Sequence, residues 1–362
     1  MKKQILSLAL TLALCLSLFP MPALAAETVT WAVEPILEYA DAWGFSEGLA
    51  PVRKESDEYF SNWGFIDTSG KVVVPLDYER VAYFKDGFAQ VWKDDKCGYI
   101  DTTGKVVVPI IYDGDIANSY FGEGLAAVKK DGKVGYIDIS GAVVIPFEYE
   151  GFLTWDWDAA HPFSEGLAAV RKDGKVGFIN KSGAVVVPFE YESAEDFSEG
   201  LASVCKDDKW GYIDKSGNVV IPYTYLWAAP FSDGLARVYT WDEQDQKRDY
   251  GCIDKNGKAV PVENGYVSSF SEGLGSAQEG EFGGGGKFGF IDITGKVVVP
   301  FEYDWVRPFS EGLAIVVKGS YPNDKYGYID KTGTVVVPLE YENAESFSGG
   351  FAPVKKNGKW AF

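Results

Sequence analysis

"FSEGLASVCKDDKWGYIDKSGNVVIP", residues 197–222, is one copy of a module that recurs along most of the chain. Its anchor is the phenylalanine of an F-x-x-G motif, which returns at intervals of 34 to 42 residues. A repeat of this length is typical of solenoids and propellers, so it decides the fold class before any single motif does. The nine anchors are Phe45, Phe84, Phe121, Phe163, Phe197, Phe231, Phe270, Phe309 and Phe347.

Each module predicts several short β-strands and no helix. Residues 201–205 and 210–214 are strand-like runs separated by a tight polar turn. In the next turn, Asp214 can accept bonds from the following backbone and Gly217 can adopt a positive φ. The β-branched run at 219–221 predicts a strand buried on both faces, and Pro222 predicts where it ends. A shorter fourth strand is predicted within 225–231. The fold class is therefore all-β, a tandem array of about nine antiparallel modules.

A glycine recurs inside the second of these strands. Because glycine weakens a strand, its recurrence predicts that another backbone or an aromatic ring lies close by. We therefore expect Gly211→Val to destabilise the protein more than Trp155→Ala, which changes a loop. The last module has Ala361 at this position. The glycines are Gly64, Gly98, Gly135, Gly177, Gly211, Gly251, Gly289 and Gly327.

The complete pattern, F-S-E-G-L-A-x-V-x-x-x-x-K-W-G-Y-I-D-x-x-G-x-V-V-I-P, resembles the bacterial WG-repeat (KWG-repeat) family. The Trp-Gly pair itself stands at Trp63-Gly64 and Trp210-Gly211, and other residues replace the tryptophan elsewhere. The resemblance covers residues 29–362. It implies a repeat module of secreted or surface proteins, with no established catalytic residues to transfer to this chain.

The two ends of the chain suggest how the array is arranged. Residues 29–35, followed by Tyr39, resemble residues 335–338, followed by Tyr341. A chain that begins with the last strand of a module can close a ring through a composite blade, as β-propellers do. The alternative is an open solenoid, whose end modules are usually atypical. Pro51 and Pro353 stand at the same strand position, in the first and last modules only, and they favour this open array. On balance, however, the sequence slightly favours the ring.

The first 25 residues predict a cleaved signal peptide. Lys2 and Lys3 precede an apolar run at 5–19, and Ala23-Leu24-Ala25 forms a small-residue cleavage site. We therefore expect a single repeat array at 26–362 that is secreted or associated with the cell surface. No other apolar stretch is long enough to span a membrane.

Charge and cysteine content narrow the classes of partner. Without Lys2 and Lys3, 32 basic and 53 acidic residues remain, a formal net charge of −21. Such an acidic chain repels phosphate backbones, so a nucleic-acid partner is not expected. Cys97, Cys205 and Cys252 are odd in number and occupy different module positions, which argues against a disulfide framework. No metal-ligand spacing is present, and we expect a monomer without a cofactor.

Five insertions interrupt the repeat, at 55–62, 151–162, 240–249, 279–287 and 319–324. In an antiparallel module all five are predicted to emerge on one side, whereas the other side keeps short turns. Repeat proteins vary most on their binding face. Aromatic rings beside carboxylates suit a sugar or a basic peptide, and the alternative is that these rings pack within their own insertions. The candidate residues are Tyr59, Phe60, Trp155, Asp156, Trp157, Asp158, Trp241, Asp242 and Tyr321.

Catalysis is not expected from this sequence. His161 is the only histidine and stands in an insertion, where an ordinary loop residue is the simpler interpretation. Acidic residues are plentiful, so a glycan hydrolase with paired carboxylates stays open as a less favoured alternative. The favoured hypothesis is a non-catalytic binding scaffold for a cell-wall glycan or a protein partner. A structural spacer or surface-layer component is the second.

Overall fold

The computed structural model describes residues 39–54, 62–114, 120–150, 161–242, 247–261, 266–280 and 285–362. Within these ranges every regular element is a β-strand. The strands form nine small antiparallel sheets, each a meander in which neighbouring strands pair in chain order. The sheets are the nine blades of a closed β-propeller, which confirms the all-β fold and the slightly favoured ring.

In most four-stranded blades a two-residue first strand is followed by three longer strands, but blade 7 has a six-residue first strand and blade 6 has a two-residue fourth strand. The first strands are Asp41–Ala42, Arg80–Val81, Ser193–Ala194, Trp227–Ala228, Tyr266–Ser271, Trp305–Val306 and Asn343–Ala344. The second strands are Leu49–Arg53, Phe88–Lys93, Leu125–Lys130, Leu167–Lys172, Leu201–Lys206, Leu235–Asp242, Leu274–Gln278, Leu313–Lys318 and Val354–Lys356.

The third strand carries the Trp-Gly position and lies between the second and the fourth. The third strands are Trp63–Asp67, Lys96–Asp101, Lys133–Asp138, Lys175–Asn180, Lys209–Asp214, Lys247–Asp254, Phe288–Asp292, Lys325–Asp330 and Lys359–Ala361. The fourth strands are Val72–Tyr78, Val106–Asp113, Val143–Glu150, Val185–Tyr191, Val219–Tyr225, Ala259–Val260, Val297–Tyr303 and Val335–Tyr341.

The turn chemistry of the repeat is confirmed. Asp207 and Asp208, which link the second and third strands of blade 5, both have positive φ, as a type I′ hairpin turn requires. In the next turn the Asp214 carboxylate accepts bonds from the Ser216 and Asn218 amides at 2.8 and 2.9 Å. Gly217 has a φ of 82°. Equivalent bonds shape the turn between the third and fourth strands in blades 1 to 8.

Two expectations about the end of the module were wrong, and a third is confirmed with a different pairing partner. Val219 is 51% exposed whereas Ile221 is 2% exposed, so this strand is buried on one face only. The strand does not end at Pro222 but continues to Tyr225. It has no neighbour on its outer side, so an edge position and a bulge accommodate the missing proline N–H. The predicted fourth short strand exists as Trp227–Ala228, but it pairs with the next blade.

The recurrent glycine does face a close backbone. A Cβ on Gly211 would lie 2.6 Å from the Ile221 carbonyl oxygen and 2.7 Å from the Tyr223 ring. Here four positions of the fourth strand lie opposite two of the third, and the resulting bulge presses onto the glycine. Gly251 in blade 6 differs, because among the described residues nothing lies within 4 Å of a Cβ placed there. The fourth strand of that blade is only Ala259–Val260.

The hydrophobic core lies between adjacent blades. The anchor phenylalanine of one blade packs against the aromatic residue that follows the glycine in the preceding blade. Phe178 and Phe197 have ring centroids 4.9 Å apart, and Tyr212 and Phe231 are 4.8 Å apart. The edge-on or tilted geometry is the favoured one for aromatic pairs. The repeat therefore stabilises each blade through its neighbour and not by itself.

The ring closes through contacts between the first and last blades. Phe45 of blade 1 packs against Phe351 and Phe362 of blade 9, with centroids 5.4 and 4.8 Å apart. Trp360 joins the same buried cluster. The prolines at 51 and 353, which favoured an open array, are accommodated within this closed arrangement. The predicted signal peptide at 1–25 and the predicted closing strand at 29–35 lie outside the described residues.

Candidate functional site

The meander gives the ring two different faces. Connections between second and third strands, and between one blade and the next, emerge on one face, which we call the insertion face. Connections between first and second strands, and between third and fourth strands, emerge on the other, the turn face. All five insertions stand in connections that emerge on the insertion face, either between second and third strands or between one blade and the next. The topology thus agrees with the predicted placement of the insertions on one side.

The turn face is held by repeated carboxylate contacts that we call clips. The Glu123 carboxylate accepts a bond from the Gly166 N–H of the next blade at 3.0 Å and pairs with Lys181 at 2.8 Å. The bond from Lys181 lowers the pKa of Glu123, against the opposing effect of burial. Equivalent ion pairs join Lys215 to Glu165 and Lys255 to Glu199, both at 2.9 Å.

The insertion face carries a corresponding set of contacts. Asp113, at the end of the fourth strand of blade 2, accepts bonds from Lys96 at 2.9 Å and from the Gly132 N–H of blade 3 at 3.2 Å. The bond from Lys96 lowers the pKa of Asp113. Beside it is a cavity of about 580 Å³ whose charged lining residues include Glu79, Arg80, Asp95, Lys96, Asp113 and Lys129.

Blade 6 projects farther from the insertion face than the modules with short hairpins. Its strands Leu235–Asp242 and Lys247–Asp254 have eight residues each, against six in Leu201–Lys206 of blade 5. Trp241, in the extended part, is 44% exposed. Towards the blade, the rings of Trp227 and Tyr239 are stacked with centroids 5.2 Å apart. The extension thus carries the exposed Trp241 ring, and the stacked Trp227 and Tyr239 rings lie closer to the body of the blade.

Blade 8 adds two further aromatic side chains to this face. Tyr321 lies in the connection between the second and third strands and is 91% exposed. Trp305, in the first strand, is 41% exposed, and the Arg307 guanidinium lies 5.4 Å from its ring centroid. Tyr321 is therefore almost fully exposed, and Trp305 is partly exposed beside Arg307.

The structure describes part of the predicted site. Trp241 and Tyr321 lie on the insertion face, and the backbone of Asp242 pairs with Lys247 in the blade 6 hairpin. The other candidates, Tyr59, Phe60, Trp155, Asp156, Trp157 and Asp158, lie outside the described residues. Sequence reasoning missed Trp227 and Trp305. The available signal was their position four residues before the anchor phenylalanine, where blades 5 and 9 have Ser193 and Asn343.

His161 lies in the segment before Phe163, and its Nδ1 is 2.7 Å from the Asp196 carboxylate of the next blade. The pair links blades 4 and 5. Among the described residues no group of three metal-ligating side chains is close enough to hold an ion. No helix in the described ranges has the length and apolarity needed to cross a membrane. Cys97, Cys205 and Cys252 are buried and form no disulfide.

The chain is similar to several solved structures at very low sequence identity. One titled as a eukaryotic initiation factor has a TM-score of 0.56 and 13% identity, covering 83% of this chain and 87% of that one. Porphyromonas gingivalis dipeptidyl peptidase 4 has a TM-score of 0.46 and 10% identity, with 83% and 59% covered. A puromycin hydrolase has a TM-score of 0.42 and 11% identity, with 86% and 57% covered. No curated protein matches the sequence significantly.

The fold defines the class of protein as a propeller built from tandem repeats, an architecture that suits a binding scaffold. The chain belongs to the family described as WG containing repeat. Most of the chain from residue 30 onward matches, whereas 241–287, which includes the blade 6 extension and much of blade 7, does not. The matched residues are 30–56, 63–97, 98–133, 135–175, 177–210, 210–240, 288–321 and 326–360.

Proposed function

We propose that this protein is a secreted, non-catalytic binding scaffold whose insertion face contacts a cell-wall glycan, with a protein partner as the alternative. The observation that carries the proposal is the exposure of Trp241, Trp305 and Tyr321 on that one face. Trp241 stands where the chain departs from the repeat pattern. Departures from a repeat are tolerated where they serve binding and not packing.

The chemistry of the face favours a sugar ligand. Aromatic rings offer flat apolar surfaces to the C–H faces of sugar rings, while nearby carboxylates accept hydrogen bonds from hydroxyls. The net charge of the chain without Lys2 and Lys3 is −21, which opposes binding of polyanions. A neutral or cationic glycan of the cell wall meets both conditions. Secretion is supported by the signal-peptide pattern at 1–25.

The proposal of a non-catalytic role is supported by the sequence and by the described geometry. The chain has a single histidine, and its partner is Asp196. The acidic side chains whose contacts are described above, Asp113 and Glu123, hold backbone amides and lysines of adjacent blades. A hydrolase would instead need a pair of carboxylates facing a common substrate cleft.

A pull-down on purified peptidoglycan tests the proposal. The binding variant is Trp155→Ala, Trp241→Ala, Tyr321→Ala. The control variant is Ile139→Ala, Val219→Ala, Ile293→Ala, which removes exposed apolar groups at the turn-face side of the blades. We expect the wild type and the control to be retained and the binding variant to be lost, with all three folded by circular dichroism.

Equal retention of the wild type and the binding variant would show that the insertion face is not the site. If peptidoglycan retains none of the three proteins, and only the wild type and the control capture one cell-surface protein, the ligand is a protein partner and not a glycan. Self-association with no captured ligand would favour the structural spacer.

A further inference from the structure

A second cavity lies where blades 8, 9, 1 and 2 meet. It has a volume of about 360 Å³, within the usual range for small-molecule sites. Its walls include Tyr83 of blade 2 and Arg307 of blade 8, which are not adjacent blades. Only the inner edge of a ring brings such blades together, so the cavity faces the central axis. Its remaining walls include the anchor segments Gly44–Ser46 and Ser346–Ser348, next to the turn face.

One glycine lines the cavity where every other module has a larger residue. In the nine modules, the residue before the anchor phenylalanine is a glycine only at Gly44. A Cβ on Gly44 would make an ordinary contact at 3.5 Å with the Ser346 carbonyl oxygen, and the backbone φ of Gly44 is not positive. A side chain is therefore sterically possible here. Its absence leaves space at the junction.

Polar groups of both kinds converge on this space. Arg307 and Glu345 form a bidentate ion pair between blades 8 and 9. This pairing uses one N–H on each terminal nitrogen, so the guanidinium has further donors beyond those that hold Glu345. Burial, with the charge of Glu345, raises the pKa of Tyr83 to about 12, so its phenol stays protonated at neutral pH.

The apolar part of the lining is aromatic. Tyr83 is 45% exposed, and its ring packs 5.3 Å from that of Trp43, which holds it in place. Phe45 and Phe347 contribute to the floor. The two charges of the ion pair cancel each other, so the cavity offers no net charge to an ionic ligand. It combines a flat apolar face with fixed donors and acceptors.

We propose that this junction cavity binds a neutral sugar ring, either a free monosaccharide or the end of a glycan chain. A sugar presents one apolar face and a set of hydroxyls that both donate and accept, which matches Tyr83 on one side and the Arg307–Glu345 pair on the other. The site lies at the inner edge of the ring near the turn face. Its Arg307 guanidinium also lies 5.4 Å from the ring centroid of Trp305, so the site is distinct from Trp241 and Tyr321 but adjoins Trp305. It does not depend on the proposed function.

Isothermal titration with a panel of neutral monosaccharides, including glucose and N-acetylglucosamine, tests this site, and a short oligosaccharide distinguishes a chain end from a free sugar. Gly44→Leu fills the cavity, and Glu345→Gln removes the charge of the acceptor. We expect both to weaken binding about tenfold or more. Glu302→Gln is the matched control at a solvent-exposed ion pair with Lys318, and its affinity should be unchanged.

The proposal fails if no sugar of the panel binds the wild type at millimolar concentration, or if folded Gly44→Leu binds as tightly as wild type. The insertion-face variant used above should bind monosaccharides normally. Loss of monosaccharide binding in that variant, with Gly44→Leu unaffected, would assign the sugar to the insertion face and overturn the junction site.

Discussion

At the residue scale, two recurrent side chains and one missing side chain define each blade. Phe197 supplies the contact to the preceding blade, and Asp214 shapes the turn that begins the outer strand. Gly211 leaves room for the bulge opposite it. None of the three functions within an isolated strand, since each responds to a neighbouring backbone or blade. Their regular spacing in the sequence therefore reflects contacts between neighbouring strands and blades.

Gly211→Val should destabilise the protein by about 3 kcal/mol or more, because the new Cβ would overlap the Ile221 carbonyl and force the bulge apart. Gly251→Ala is the comparison, since among the described residues nothing lies within 4 Å of a Cβ placed there. Chemical denaturation of both variants measures the difference. Similar losses in the two would show that the bulge is not the reason for the glycine.

At the scale of the element, the outer strand shows why a local pattern misled. The run at 219–221 looks like the core of a parallel sheet because its residues are all apolar. It is instead an edge strand with one buried face, where Ile221 packs inward and Val219 faces solvent. Periodicity identified a strand, but only the position of that strand in the blade decides which faces are covered.

The turn-face clips predict acid sensitivity. The pKa of Glu123 is lowered in the folded state, so the clip stabilises the ring above the unfolded value of about 4.3 and is lost as the pH falls through the folded value. The melting temperature should therefore drop below about pH 4. Glu123→Gln removes the titrating carboxylate of this clip and should slightly flatten the dependence of the melting temperature on pH in the acid range.

Each such clip is partly exposed, so its single loss should cost no more than about 1 kcal/mol at neutral pH. Lys172→Met serves as the control and should leave the acid limb unchanged, because it breaks an exposed ion pair between Glu148 in the fourth strand of blade 3 and Lys172 in the second strand of blade 4, away from the turn face. A steeper acid transition in Glu123→Gln than in the wild type would contradict the assigned sign.

At the scale of the whole molecule, the ring makes the end of the chain part of the core. Phe362, the last residue, is buried against Phe45 of the first blade. Each blade depends on its neighbours for burial, so an open junction would expose apolar surface on two blades at once. Closure removes that exposure and places Gly44, Tyr83 and Arg307 around one cavity.

Phe362→Ala should lower the free energy of unfolding by about 3 kcal/mol, a value typical of a buried aromatic residue. Trp241→Ala, an exposed aromatic residue on the insertion face, should change it by less than about 0.5 kcal/mol. Thermal and urea denaturation compare the two. A negligible effect of Phe362→Ala would mean that this junction contributes little to the ring.

The sequence by itself determined the repeat, the strand and turn pattern, the requirement for glycine in the third strand and the segregation of insertions onto one face. These features follow from local chemistry and from a period that every module repeats. Only the tertiary structure decided that the ring closes, that the short strand belongs to the following blade and that the valine-rich strand is an edge. It also brought Gly44, Tyr83, Arg307 and Glu345 together. Their separation in sequence carries no signal, because the curvature that joins blades 8, 9, 1 and 2 arises from the packing of all nine blades.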